Sequence, residues 1–326
     1  MPLRIGTLFV VLVTSAIGVF APMLLVKLPF RTINTMTCTG IKQFGTGIII
    51  ATAFVHVGLT FLDHSIRADN CKLYTHANLM FTNDCLGELE YEATTSAIVM
   101  AGIFLSFLME YIGHRIILAR GSKTPTTTLE SPNPNPGAKD HQQPAPETTG
   151  LANLSHSHGP ESINPNTKFS VLVMEAGIVF HSILIGITLV VAGDSFYRTL
   201  LVVIVFHQFF EGLALGVRIA LLPGSIFPSK AIMGAAFAVI TPVGMAIGIG
   251  VLHSFNGNDK STLIALGTLD ALSAGILVWV GVVDMWARDW VVTGGEMVDA
   301  GVGKVSVGGV ALIAGLVLMS LLGKWA

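Results

Sequence analysis

Apolar runs of about twenty residues or more recur along the chain, separated by shorter polar breaks. A bilayer core takes about 20 apolar residues at 1.5 Å rise each, so every such run predicts one membrane-spanning helix. Eight are predicted, at roughly 4–28, 43–66, 93–118, 169–192, 198–222, 230–253, 262–287 and 304–325. The fold class expected is an all-α polytopic membrane protein. The first run, "IGTLFVVLVTSAIGVFAPMLLV", exceeds the 7–15-residue apolar core of a secretory signal and reads as a span.

The polar breaks organise the rest. Residues 119–168 hold eight of the fourteen prolines and the stretch "TPTTTLESPNPNPGAKDHQQPAPE". Such a segment buries too little apolar surface to order itself, so a disordered loop is expected. It ends in "SHSHG", whose His156 and His158 read either as a polar linker end or as a weak, exposed metal-binding patch. The chain thus divides into three parts: spans 1–3 with loop 67–92 (1–118), the His-containing loop (119–168), and spans 4–8 (169–326).

Eight spans put both termini on one side of the membrane. With the termini outside, twelve Lys and Arg fall on the inner side and six on the outer, which is the orientation the positive-inside rule favours. Loop 119–168 is then cytoplasmic and loop 67–92 extracytoplasmic. Cys71 and Cys85 share that outer loop, as a disulfide or as two separate thiols. Cys38 lies apart, and the three form no metal-ligand cluster.

Composition agrees. The 326 residues are 52% hydrophobic and 12% charged, with mean hydropathy +0.71. Soluble domains carry about 25% charged residues, so one soluble globule is excluded. Net charge is −2 with no basic run, which argues against nucleic acid as a partner.

The chemistry lies in the polar exceptions. An ionised group at the bilayer centre costs roughly 2.5–3.5 kcal/mol on insertion scales, and it usually faces a functional interior. In "FHQFFEG", His207 and Glu211 are i, i+4 on one face near the middle of span 5, with Gln208 beside them. His181, followed by Ser182, lies near the middle of span 4. The short connection "AGDSF" makes spans 4 and 5 antiparallel neighbours, so the three groups meet at one depth. Two imidazoles and a carboxylate suit a borderline divalent metal, zinc above all, whereas calcium and magnesium prefer oxygen. The alternative is a hydrogen-bonded cluster that glues the two helices together.

In span 2, His56, Asp63 and His64 share a face, with the last two near the outer end. They read as a metal entrance or as an interfacial carboxylate and its neighbours. Glu110 and His114, next to Arg115, read as an interfacial ion pair, as do Asp284, Arg288 and Asp289; Asp270 lies deeper. Span 6 carries Pro242 and a Gly244–Gly248 pair, which permit a kink and close packing.

"HSILIG" (181–186) and "HQFFEG" (207–212) on consecutive spans resemble the paired signatures of the ZIP zinc/iron-permease transporters. "FGTGIIIATAFVH" (44–56), "MEAGIVFHS" (174–182) and "TLDALSAGILVWVGVVDMWARDW" (268–290) extend the resemblance, which is closest to the fungal and plant branch. It covers the chain apart from loops 67–92 and 119–168. The resemblance implies eight helices as a 3+2+3 arrangement of inverted repeats, both termini outside, and transport of metal toward the cytosol by alternating access. It implies that His181, His207 and Glu211 bind the principal metal, and that Gln208 and Ser182 occupy second-site positions. Members with two metals have Asn in place of Ser182 and Glu in place of Ile185, so one main metal is expected here.

Zn2+ is the expected cargo, with Fe2+, Mn2+ and Cd2+ as competing ions. The alternatives are an iron- or manganese-preferring member of the family and a metal-sensing membrane receptor. An intramembrane metallohydrolase would call for a motif such as HExxH, which the chain lacks, and no enzyme is expected. A plasma-membrane location is the expectation, with an internal membrane the alternative. The small-residue faces are compatible with a homodimer.

Overall fold

A computed structural model of the chain describes residues 2–25, 35–57, 80–81, 91, 93–121, 165–192, 194–252 and 259–324. Within these residues eight helical segments are long and apolar enough to cross a membrane, and there is no strand. They are α1 (Pro2–Leu25), α2 (Thr35–Val57), α3 (Thr94–Gly121), α4 (Pro165–Val191), α5 (Asp194–Leu221), α6 (Ala231–Val251), α7 (Lys260–Val278) and α8 (Val302–Gly323). Without a break, α7 widens into a π-helical stretch, Trp279–Ala287, and ends in the turn Arg288–Trp290. The protein is an all-α polytopic membrane protein.

Packing is pairwise. α2 lies chiefly on α8, α4 on α6, α1 on α5 and α3 on α7. Exchanging α1 with α6, α2 with α7, α3 with α8 and α4 with α5 maps these pairings onto one another. Lipid is as apolar as leucine, so burial alone gives helices no reason to associate, and close backbone packing supplies it. Each pairing carries a glycine whose missing Cβ lets a neighbouring backbone carbonyl approach. These are Gly18 on Phe209, Gly315 on Phe44, Gly275 on Val99 and Gly186 on Thr241.

Two apolar clusters divide the interior by depth. One gathers Met174 and Ile178 of α4, Leu215 of α5, Phe237 of α6 and Leu277 and Met285 of α7. The other gathers Val11, Ile185, Leu189, Leu200, Ile204 and Met245. Along α4 and α5, residues 181 and 207–211 fall between them.

The start of α2 departs from the sequence expectation. α2 starts at Thr35, eight residues before the predicted 43. The residues "TMTCTGIKQ" look too polar for a span, but Thr39, Lys42 and Gln43 have partners. Lys42 Nζ lies 2.8 Å from Asp289 Oδ1 and 2.9 Å from Glu296 Oε2, Thr39 donates to Glu296 at 2.7 Å, and Gln43 donates to Asp289 at 2.9 Å. The loop after α7 delivers Glu296 to this spot through Gly294, whose φ of 86° only glycine adopts freely.

Glu110 also differs in its partner. It pairs across helices, 2.7 Å from Arg288 Nη2 and 3.0 Å from Trp279 Nε1, while His114 stands off at 3.6 Å. Asp284 completes that group at 3.2 Å from Arg288.

Candidate metal centre

α4 and α5 bring the site together. His181, His207 and Glu211 each offer a ligand atom, and these atoms lie within 4.8 Å of one another. Their exposures are 0%, 2% and 0%, in the middle of two apolar helices. His207 Nε2 and Glu211 Oε1, one helical turn apart, stand at 3.2 Å, and the rings of His181 and His207 are 5.6 Å between centres. Ligands held tetrahedrally by zinc at about 2.0–2.2 Å lie about 3.4 Å apart from one another. The His207–Glu211 separation already matches that spacing, and the third ligand atom stands within 4.8 Å of both.

Three protein ligands leave a fourth position on a tetrahedral ion, the arrangement of exchangeable rather than structural zinc sites. Among the described residues this is the one group of three or more His, Cys, Asp or Glu close enough to hold an ion. Gln208 and Ser182 are both fully buried alongside it, and neither side chain has a hydrogen-bond partner among the described residues. Ile185, one turn beyond His181, packs in an apolar cluster instead of offering a ligand.

Two crevices flank the site along the helices. One is lined by Val55, Thr188, His207, Asp270, Met319 and Gly323, so it reaches a site imidazole from the Thr188 end. Asp270 thus lines the same crevice as His207. The other is lined by Lys42, Met174, Arg218, Asp284, Arg288 and Asp289 at the opposite end. Between that second crevice and the site stand Ile178, Leu215 and Leu277, all fully buried.

At the second crevice, Arg218 joins the helices. Its Nη2 lies 3.2 Å from Asp289 of α7 and 3.0 Å from Thr46 of α2. Arg218 follows Glu211 by seven residues, so it shares the ligand face of α5 about 10 Å further along.

His56 belongs to α2 next to the crevice residue Val55, and its side chain lies outside the described residues. Asp63, His64, His156, His158, Cys71 and Cys85 also lie outside them. Sequence reasoning missed Ser273, whose Oγ is 3.0 Å from His181 Nδ1. Its one visible signal is its place one turn from Asp270 on α7.

The chain matches the family model described as ZIP Zinc transporter over residues 1–323. It is 49% identical over 325 residues to Zinc-regulated transporter 1 of Candida albicans, covering 100% of this chain and 61% of that relative. It is 28% identical over 402 residues to Zinc-regulated transporter 2 of Saccharomyces cerevisiae, covering 99% of this chain and 94% of the relative. It is 30% identical over 332 residues to Fe(2+) transport protein 1 of Arabidopsis thaliana, covering 100% and 86%. The family is one of transporters and not of enzymes, which sets aside the metallohydrolase reading. A buried His/His/Glu site on two central helices and a family match across nearly every residue agree: the chain belongs to the ZIP zinc transporter family.

Proposed function

We propose that this protein carries a divalent metal ion, Zn2+ foremost, across its membrane toward the cytosol by alternating access, with His181, His207 and Glu211 as the ligands in transit. The observation that carries this reading is the trio itself, three ligand atoms within 4.8 Å of one another and fully enclosed in two apolar helices. A carboxylate and two imidazoles there are costly as helix glue, and a metal ion offsets that cost.

The ion sheds waters on approach past His56, Asp63 and His64, takes the three ligands, and leaves toward loop 119–168 with His156 and His158. Two observations support the sequence of steps: a crevice toward the Thr188 end touches His207, and the buried Ile178, Leu215 and Leu277 pack on the other side of the trio. Gln208 and Ser182 supply polar atoms beside the ion, and Ile185 in place of a carboxylate supports one main metal. The protein sits in the plasma membrane with both termini outside and the Thr188 end facing out, as the charge count supports. A homodimer fits the same reading.

Iron as cargo is the second reading, favoured by the 30% identity to the Arabidopsis thaliana Fe(2+) transport protein. The test is metal accumulation in zinc-starved cells, comparing the wild-type chain with His207→Ala and Glu211→Ala at equal surface expression. Zinc uptake by wild type and its loss, tenfold or more, in both variants is expected. Competition by Fe2+ and Mn2+ ranks the cargo. Undiminished uptake in both variants sinks the site; no transport by wild type favours a sensor.

A further inference from the structure

We infer that Ser273 of α7 is a positioning residue for metal binding at His181, so that α7 forms a working wall of a site whose ligands all come from α4 and α5. The inference rests on the metal-site reading above.

The geometry is direct. Ser273 Oγ lies 3.0 Å from His181 Nδ1, and both side chains are fully buried. A neutral imidazole carries one proton and one ligating lone pair, and the partner on one nitrogen decides which nitrogen keeps the lone pair. When Nδ1–H donates to Ser273, Nε2 holds the lone pair and is the atom available to a metal. The same contact fixes the ring plane. Without it the imidazole is free to turn over or to carry its proton on Nε2, and that form cannot ligate.

The support behind Ser273 suits this task. Its neighbours Ala271, Ala274 and Gly275 are small and buried, so the hydroxyl is the polar group α7 offers at that level. Gly275 holds α7 against the backbone of α3 at Val99 and Gly102. The hydroxyl is thereby carried on a helix that is itself pinned from behind. One turn along α7, Asp270 lines the crevice that reaches His207. Both ligating histidines therefore face α7, His181 by a hydrogen bond and His207 across the crevice.

A partner that orients a metal-ligating histidine typically changes affinity or activity about 10–100-fold when removed. A residue that only fills space behaves differently: its loss lowers the amount of folded protein and leaves the affinity of what remains.

The experiment measures zinc-uptake kinetics, normalised to surface protein, for the full chain carrying Ser273→Ala, Ser273→Cys or Ser273→Thr, with His207→Ala alongside. Calorimetric zinc titration of the purified wild-type, Ala and Cys chains gives affinity without transport. Cys keeps the size of serine but accepts hydrogen bonds poorly, and Thr keeps the hydroxyl. The expected result is a KM raised about tenfold or more in Ala and Cys with maximal rate within twofold of wild type. A matching loss of titrated affinity should accompany it, and Thr should return KM to within threefold of wild type. A wild-type KM and affinity in both Ala and Cys overturns the inference. So does a fall in surface level or maximal rate with KM unchanged, which marks packing alone. Should Thr fail to reach the surface, Ala and Cys decide by the same criterion. If His207→Ala transports normally, the metal-site reading itself falls. If His207→Ala is dead while Ser273→Ala matches wild type in KM, only the role of Ser273 falls.

Discussion

Glu296 lies outside the spans and titrates differently from a free carboxylate. Burial pushes its carboxyl up, but hydrogen bonds from Lys304, Thr39 and Lys42 and the Lys42 charge outweigh that and hold it down at about 2, below the ordinary 4.5. The folded chain thus binds fewer protons than the unfolded chain between these values, and the stabilising contribution is complete above about pH 4.5 and lost as pH falls toward 2. Glu296→Gln should lower the melting temperature of the purified protein by a few degrees at pH 7, of order 1 kcal/mol given its partial exposure. The gap between variant and wild type should narrow once the pH drops below 4.5. A gap as wide at pH 3.5 as at pH 7 would show that the carboxylate charge is not what matters. At this scale the sequence was legible where chemistry clashed with surroundings: His207 and Glu211 stand out because their helix is otherwise apolar. Ser273 did not stand out, because a serine among alanines and glycines is ordinary in a membrane helix until its partner is known.

Among the elements, the α4–α6 contact offers the sharpest test. A Cβ on Gly186 would collide with the backbone carbonyl of Thr241, and one on Gly244 with that of Ile183. Backbone cannot swing aside as a side chain can. Gly186→Ala should therefore destabilise the protein by roughly 1–3 kcal/mol, as overpacking does, and shift α4 enough to disturb His181, five residues away. Thermal unfolding in detergent, with surface expression in cells, checks this; a wild-type melting temperature would mean that the helices separate freely. The span pattern of the elements was readable from hydropathy, and the Gly244–Gly248 pair flagged close packing on α6. The start of α2 was not readable, since Thr39, Lys42 and Gln43 look like loop residues until Asp289 and Glu296, some 250 positions later, arrive beside them. The π-helical widening of α7 has no hydropathy signature at all.

For the whole molecule, the Arg218 end poses the mechanical question. Arg218 joins the ligand helix α5 to α7 through Asp289 and to α2 through Thr46, with Lys42 on the far oxygen of Asp289. Asp289 keeps Lys42 and Gln43 when Arg218 is removed, so the loss is that of charged hydrogen bonds, about 1.5–3 kcal/mol, and not of a stranded charge. On the function proposed above, an ion leaving the trio toward this end would pass Ile178, Leu215 and Leu277 and then a guanidinium, so the Arg218 contacts would have to yield before release. Arg218→Ala should open this end in the resting protein. With Cys38, Cys71 and Cys85 replaced by Ser and a single Ile178→Cys introduced, an impermeant thiol reagent supplied from the Arg218 side should react slowly in the Arg218 background. In the Arg218→Ala background it should react several-fold faster, while reactivity from the Thr188 side does not rise. If the proposed alternating access holds, the same substitution should slow zinc uptake, because an end that no longer closes removes the alternation. If Ile178→Cys is labelled at one rate in both backgrounds, the apolar layer alone closes this end and the Arg218 cluster is an anchor; if labelling rises equally from both sides, the variant has loosened the bundle as a whole.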